Sequence, residues 1–411
     1  MKPSASVSDA APASAPTYRG SIAASAKPID PPKPTNVATL SVIAALGLCL
    51  IGVYAIDLGE SAAPSSLSRT ATRQCVYIAV GLIAAIAVVI PSPRLLRRLA
   101  WPGFLGCIGL LVFLLVPFVP ESIVTPRNGA RGWINFGVAD FQPAEVTKIA
   151  FVLVIAGYLR FRTEHRTFRG LLPLGLVTFV PVALITLQPD LGTSSLFIPA
   201  LFAMLVAAGA RLRHLALIVA MAALAAPAVY PVLKPHQKQR FVALFRQIQG
   251  DRTTAYDINF QSFTAQTLVG AGRIEGVPDV KARALVRYSR LPEAHNDMVF
   301  AVIVTRFGFA GGLVVLALFG LWVVGALVTA AQSREPQHRL ICVGCAGFIV
   351  AQMFINVGMT VGLLPIIGIT LPFVSFGGSS MLTCWLMTGL VMHAAVRRPR
   401  GPMRPSFEFD E

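Results

Sequence analysis

The chain has 411 residues, of which 55% are hydrophobic and only 13% charged, with a mean hydropathy of +0.68. Soluble globular domains carry about 25% charged residues, so this composition excludes an ordinary water-soluble domain and fits a chain whose main solvent is lipid. The formal net charge of +16 sits in short basic clusters between apolar runs, not interleaved with aromatics on a soluble surface, which argues against nucleic acid as a partner.

Residues 1–36 are rich in Ala, Ser and Pro and read as a disordered cytoplasmic tail. The first apolar run begins near Val37 with no small-residue cleavage site after it, the pattern of a signal anchor. Apolar runs then recur near 37–57, 75–91, 99–119, 144–159, 170–187, 193–209, 214–233, 297–330, 338–362 and 371–396. At about 20 residues per crossing, they predict an all-α polytopic membrane protein of about ten transmembrane helices spanning residues 37–397, with a short cytoplasmic tail at 398–411.

The connecting loops carry the orientation. Fifteen arginines, among them Arg94, Arg97, Arg160, Arg211, Arg334 and Arg397, follow the even-numbered runs, whereas the opposite short loops hold only Arg69, Arg73, Arg127 and Arg131. The positive-inside rule therefore places both termini in the cytoplasm. Residues 234–296 form a large extracytoplasmic loop between the seventh and eighth helices; loops of that length are exempt from the charge rule and uncommon without a function. The six cysteines lie in or beside apolar runs, so Cys342 and Cys345, despite their CxxC spacing, read as small packing residues, and no disulfide framework is expected.

Unusual polar residues gather on the outer side. The block from Asn128 to Lys148 contains Arg131 and Trp133, then Gln142-Pro143-Ala144-Glu145. Pro143 suits the first turn of a helix. Gln142 and Glu145 have the spacing of a capping pair, while Glu145 and Lys148 fall on one helical face at or below the membrane surface, where ionisable groups are paired or functional. Asp190, in Gln188-Pro189-Asp190-Leu191-Gly192-Thr193, reads either as the cap of the sixth helix or as a site residue. Arg283, Arg287 and Arg290 precede Leu291-Pro292-Glu293-Ala294-His295-Asn296-Asp297, where the eighth helix begins. Asp297 is an N-cap carboxylate on one reading and a general base beside pyrophosphate-holding arginines on the other, and His295 a loop or a site histidine. Finally, Gly377-Gly378-Ser379-Ser380 inside an apolar run permits either close helix packing or a broken helix.

Taken together, the Arg131–Lys148 block, Gln188-Pro189-Asp190-Leu191-Gly192-Thr193, Leu291–Asp297 and Pro365–Ser380 resemble the shape, elongation, division and sporulation (SEDS) family of the RodA/FtsW type, in order and on the expected side, across most of 37–397. The resemblance implies a peptidoglycan glycosyltransferase that polymerises lipid II on the outer face of the bacterial cytoplasmic membrane, with a class B penicillin-binding protein as partner. It implies Asp297 as the catalytic aspartate and Trp133, Glu145 and Lys148 as residues of the same outer cavity. Arg131, Asp190, Arg290, His295 and Ser379 complete the candidate substrate-binding set. Tyr256, Gln261-Ser262, Ala265 and Asn356-Val357-Gly358-Met359 favour the elongation branch, whereas Thr370-Leu371-Pro372-Phe373 is more like the division branch.

Two departures stand out. The family's acidic pair in the eighth helix is replaced by Thr305 and Arg306, and its glycine-rich stretch is reduced to Gly270-Ala271-Gly272. A cation at the depth of Arg306 needs a partner, for which Glu145 is the expected choice. Lipid II is α-linked and the glycan β-1,4-linked, so the reaction inverts the anomeric centre in one displacement, with Asp297 as base. Loop arginines, Lys148 or a divalent cation such as Mg or Mn would meet the leaving pyrophosphate; no organic cofactor is expected. The rivals are a lipid II flippase and a catalytically weak scaffold for the penicillin-binding protein.

Overall fold

Lipid offers no hydrogen bonds, so long apolar runs must satisfy their own backbone as helices. In the computed structural model, which describes residues 34–61, 67–127, 130–137, 140–162, 164–229, 238, 242 and 260–397, they do so. In chain order the helices are α1 (Pro34–Glu60), α2 (Arg69–Val89), α3 (Pro93–Leu115), α4 (Pro143–Leu159), α5 (Phe168–Leu187), α6 (Leu191–Ser195), α7 (Phe197–Ala207) and α8 (Leu212–Val229). They continue with α9 (Phe260–Gly272), α10 (Asp279–Ser289), α11 (Val299–Gln332), α12 (Pro336–Thr360) and α13 (Gly378–Val396). The expected tails at 1–36 and 398–411 lie outside the described residues apart from the first turn of α1, as do most of residues 230–259.

Among the described residues, seven helices (α1, α2, α3, α5, α11, α12 and α13) are long and apolar enough to cross a membrane. The other three expected spans fall on shorter helices: α4 of 17 residues, the broken pair α6–α7, and α8. The chain is therefore a mostly helical, multi-pass membrane protein. Local sequence sets the boundaries. Ser68, Ser92 and Thr167 each accept a backbone N–H of the turn they precede, opening α2, α3 and α5, and Pro143 stands in the first turn of α4.

Three expectations need correction. Residues 124–141, expected as part of an all-helical protein, form a three-stranded antiparallel sheet of β1 (Val124–Arg127), β2 (Ala130–Asn135) and β3 (Asp140–Phe141). Alternation explains it: Ala130, Gly132 and Ile134 turn inward, Ile134 joining Leu114 and Val124 in a small apolar cluster, while Arg131 and Trp133 lie on the opposite face. The large loop 234–296 is helical through α9 and α10. The last span begins at Gly378, not residue 371: Phe373 (φ 63°) and Gly377 (φ 159°) stand outside right-handed helical space, so 361–377 runs as an irregular segment.

Packing gathers α12 and α13 at the centre of the bundle. α1 lies chiefly on α11, α2 on α13, α3 on α4, and α7 on α12. The long α11 is broken at Gly308 (φ 69°). Its first part, Val299–Thr305, is buried, and residues 309–332 alone, at about 1.5 Å each, exceed the ~30 Å of a hydrocarbon core. The kink exists because the α9–α10 turn is threaded against it. A Cβ on Gly276 (φ +86°) would stand 2.1 Å from the Arg306 carbonyl oxygen, and one on Gly308 2.2 Å from that of Ile274. The contact is hydrogen-bonded, with Val277 N–H donating to Thr305 O, and Phe309 and Ala310 N–H donating to Arg273 O and Ile274 O. Gly272 of the reduced glycine stretch is needed for the same crossing, since a Cβ there would stand 2.0 Å from the Val304 carbonyl oxygen.

Candidate active site

Asp297 ends the loop between α10 and α11 and is buried. The N-cap position of α11 is Met298, one residue further on. The backbone of Asp297 is clamped. Three successive carbonyls receive donors from the α12–α13 region: His295 O from Phe376 N–H at 2.9 Å, Asn296 O from Ser375 Oγ at 2.5 Å, and Asp297 O from Asn356 Nδ2 at 2.8 Å. The same Asn356 amide holds Ile369 O at 2.7 Å. Gln261 Nε2 on α9 donates to Asp297 Oδ1 at 3.2 Å, and the backbone of Gly368 (φ +71°) passes beside Oδ2. The carboxylate is thus held by rigid elements on both sides, a requirement for a positioned base.

Glu145 and Lys148, one turn apart on α4, pair at 2.8 Å with both side chains buried. Lys148 Nζ also donates to Gln352 Oε1 at 3.1 Å, and Gln352 Nε2 donates to Thr370 O at 2.9 Å. Gln352 lies four residues before Asn356, on the same face of α12. Adjacent turns of one helix therefore hold the Glu145–Lys148 pair and the Asp297 loop. The expected capping of α4 by Gln142 does not occur: its side chain donates to Asp190 Oδ2 at 3.1 Å. Asp190 does cap α6, accepting from Thr193 N–H at 2.9 Å, and desolvation pushes its carboxyl above the usual range. Ser379 accepts from Gln142 N–H at 2.9 Å and reaches Asp140 O at 3.3 Å, tying the start of α13 to β3 and α4.

Asp297, Glu145, Lys148, Asp190 and Ser379 thus belong to one polar assembly. His295 joins it through the Phe376 N–H and an edge contact of its ring with Phe376. Arg131 and Trp133 lie on the half-exposed face of β2, and Arg131 donates to Val119 O. Arg290 is exposed and closes α10 in the left-handed conformation (φ 50°). Three buried acceptors, Glu145 Oε2, Gln188 Oε1 and Asn356 Oδ1, have no hydrogen-bond partner among the described residues. Among those residues no three His, Cys, Asp or Glu side chains converge as metal ligands.

Two expectations about charge are overturned. Arg306 does not pair with Glu145, which is taken by Lys148. Its guanidinium donates to Tyr54 OH at 3.0 Å and Val277 O at 3.2 Å, and lies 3.8 Å from Asp279. The Gly308 kink turns this stretch of α11 toward α1 and α10, away from α4. Arg283 is not a free loop cation either: it is buried against Asp57 and Asp279. Gln352, Ser375 and Gln261 were not singled out as site residues. The available signal for Gln352 was an amide in an apolar helix, four residues before Asn356.

Comparison with known proteins agrees with this architecture. The family model for the FtsW/RodA/SpoVE cell cycle proteins matches residues 35–399. The chain belongs to that family. It is 33% identical over 364 residues to a probable peptidoglycan glycosyltransferase FtsW of Halorhodospira halophila, covering 86% of this chain and 88% of the relative. A chain of a peptidoglycan synthase complex solved for its coordination of polymerization and crosslinking superposes with a TM-score of 0.73 at 29% identity, covering 88% and 98% of the two chains. The rod shape determining protein RodA of Thermus thermophilus superposes with a TM-score of 0.64 at 26% identity, covering 88% and 97%.

Proposed function

We propose that this chain is a peptidoglycan glycosyltransferase that joins lipid II units into β-1,4-linked glycan on the outer face of the cytoplasmic membrane, as one half of a complex with a class B penicillin-binding protein. The ten-span arrangement with cytoplasmic termini is part of this reading. The observation that carries it is the clamp on three successive carbonyls leading to Asp297, in a chain that shares its family with proteins named for this activity.

In the reaction, the acceptor's 4-hydroxyl attacks the donor's anomeric carbon from the face opposite the pyrophosphate. Asp297 takes the hydroxyl proton as the new C–O bond forms and the bond to pyrophosphate breaks. Fixing the carboxylate's backbone lowers the entropic cost of alignment, an effect with room for several kcal/mol. Lys148, with Arg131 and Arg290 at the rim, meets the charge on the departing pyrophosphate. Glu145 pairs with Lys148 in a buried setting, and the acceptors Glu145 Oε2 and Gln188 Oε1 suit sugar hydroxyls.

The test is polymerisation of labelled lipid II by the purified chain with its penicillin-binding partner, the partner's own transpeptidase chemistry being blocked. Glycan from the native chain and none from Asp297→Ala is the expected result. Transbilayer movement of lipid II without polymer would overturn it in favour of transport, and partner binding with neither activity in favour of a scaffold. We assign the chain to elongation on Gln261-Ser262 and Asn356-Val357-Gly358-Met359. Rescue of a division defect but not a rod-shape defect would reverse that assignment.

A further inference from the structure

Outside the site lies a second buried ionic assembly that the chemistry above does not use. Arg283, on the inner face of α10, is 4% exposed, and Asp57, in the last turn of α1, is 6% exposed. Their side chains meet at 3.0 Å through Nη2 and Oδ2. Arg283 Nη1 also donates to two carbonyls at the C-terminal end of α1, Asp57 O at 3.3 Å and Ser61 O at 3.1 Å, and its Nε donates to Asp279 Oδ2 at 2.8 Å. One guanidinium therefore satisfies the end of one helix and the start of another. Asp57 is shared further: its Oδ1 accepts Ser68 N–H at 2.8 Å, the residue that caps α2. Asp279 in turn holds Tyr54 of α1, whose hydroxyl accepts from Arg306 of α11.

The assembly fastens the first half of α10 at two residues, Asp279 and Arg283. Through Asp57 it joins the outer ends of α1 and α2, and through Tyr54 and Arg306 it joins α11 just before the Gly308 kink. α10 is followed directly by the loop that carries Asp297. The site clamps hold that loop from the α12–α13 side.

We propose that Arg283 is a positioning residue for the reaction: its bridge between Asp57 and Asp279 fixes α10 against α1 and thereby sets the place of the loop bearing Asp297. The proposal rests on the glycosyltransferase reading for its kinetic half, and its mechanical half is measurable without it. Replacing Arg283 leaves Asp297, its clamps and the Glu145–Lys148 pair in their own contacts, so substrate binding should change little. A displacement of about 1 Å at a reacting group is worth roughly 10²-fold in rate, so kcat should fall by about that much while KM for lipid II stays within about threefold.

The experiment uses the full chain with Cys75, the exposed cysteine among the six, replaced by Ser. Spin labels are placed at Arg69→Cys on α2 and Tyr288→Cys on α10, two exposed positions, and the distance distribution is compared with lipid II polymerisation in the partner complex. A narrow distribution in the native background, a broad one in Arg283→Met, and a selective fall in kcat in Arg283→Met are expected. Should Arg283→Met fail to purify as a monodisperse protein, Asp57→Asn, which loosens the same bridge and keeps the Arg283–Asp279 contact, carries the same two readings. A distribution that stays narrow, or one that broadens at native kcat, overturns the proposal. If the native chain makes no polymer but the labels respond, the glycosyltransferase reading fails and the fastening of α10 stands.

Discussion

The two ends of the bundle handle charge in opposite ways. At the end that holds Asp297, which the basic loops predict to be the outer one, Arg283–Asp57 and Lys148–Glu145 are almost fully buried, with side chains between 1% and 8% exposed. At the end predicted to be the inner one, Glu335 gathers Arg97 at 3.1 Å and Arg160 at 2.7 Å, with side chains 21% to 30% exposed. Water screens the inner cluster, so its pairs contribute about 0–1 kcal/mol each. A buried pair adds little over an apolar substitute, yet removing one partner costs about 3–5 kcal/mol because the other charge is stranded. The outer end thus trades tolerance for fixed geometry, which is where a reaction would need it.

The largest effect that would break this contrast is Glu145→Gln, which leaves Lys148 buried with amide partners alone. Thermal unfolding should show a loss of about 3–5 kcal/mol together with loss of polymerisation. A loss below 1 kcal/mol would mean that the outer pair is as tolerant as the inner one. Next comes Gly276→Ala: its Cβ would meet a carbonyl at 2.1 Å in a backbone region unfavourable to side chains, so a loss of roughly 2–4 kcal/mol is expected. Unchanged stability in that variant would show that the α9–α10 turn is not pressed against the kink. Glu335→Gln should cost only about 1 kcal/mol and leave polymerisation intact; a loss of activity there would tie the two ends together.

The smallest expected effect is on pH dependence. The Tyr54 hydroxyl, then Arg283, hold Asp279 below its ordinary value of 3.8. A depressed carboxylate contributes stability that is fully present above its unfolded value and lost as pH falls through the folded one. The distance distribution between labels at positions 69 and 288 should therefore be constant from about pH 5 upward and broaden only below about pH 4. Broadening between pH 6 and 8 would assign the control to another group.

What was legible beforehand followed from local rules. Pro143 opened α4 and Asp190 capped α6 because caps and first turns depend on neighbours a few residues away. Glu145 and Lys148 were expected to share a face from their spacing alone, and they pair. The same local logic failed for Arg306, whose choice of partner depends on which way α11 turns at Gly308. It failed for Gln142, whose amide found Asp190 across 48 residues of sequence in place of its own helix. Arg283 was read as a loop cation because nothing near it in sequence reveals that Asp57, 226 residues earlier, lies beneath it.

By itself, then, the sequence determined the solvent, most of the helices and the face that Glu145 and Lys148 share. Hydrophobicity, helix period and the absence of hydrogen bonding in lipid act over one or two turns, and a linear reading captures them. Tertiary structure alone decided that three carbonyls leading to Asp297 are clamped from the α12–α13 side, that residues 361–377 run irregular beneath it, and that two buried arginine and lysine pairs hold the outer end. Those outcomes depend on contacts between segments hundreds of residues apart, where each buried donor takes whichever acceptor packing brings within reach.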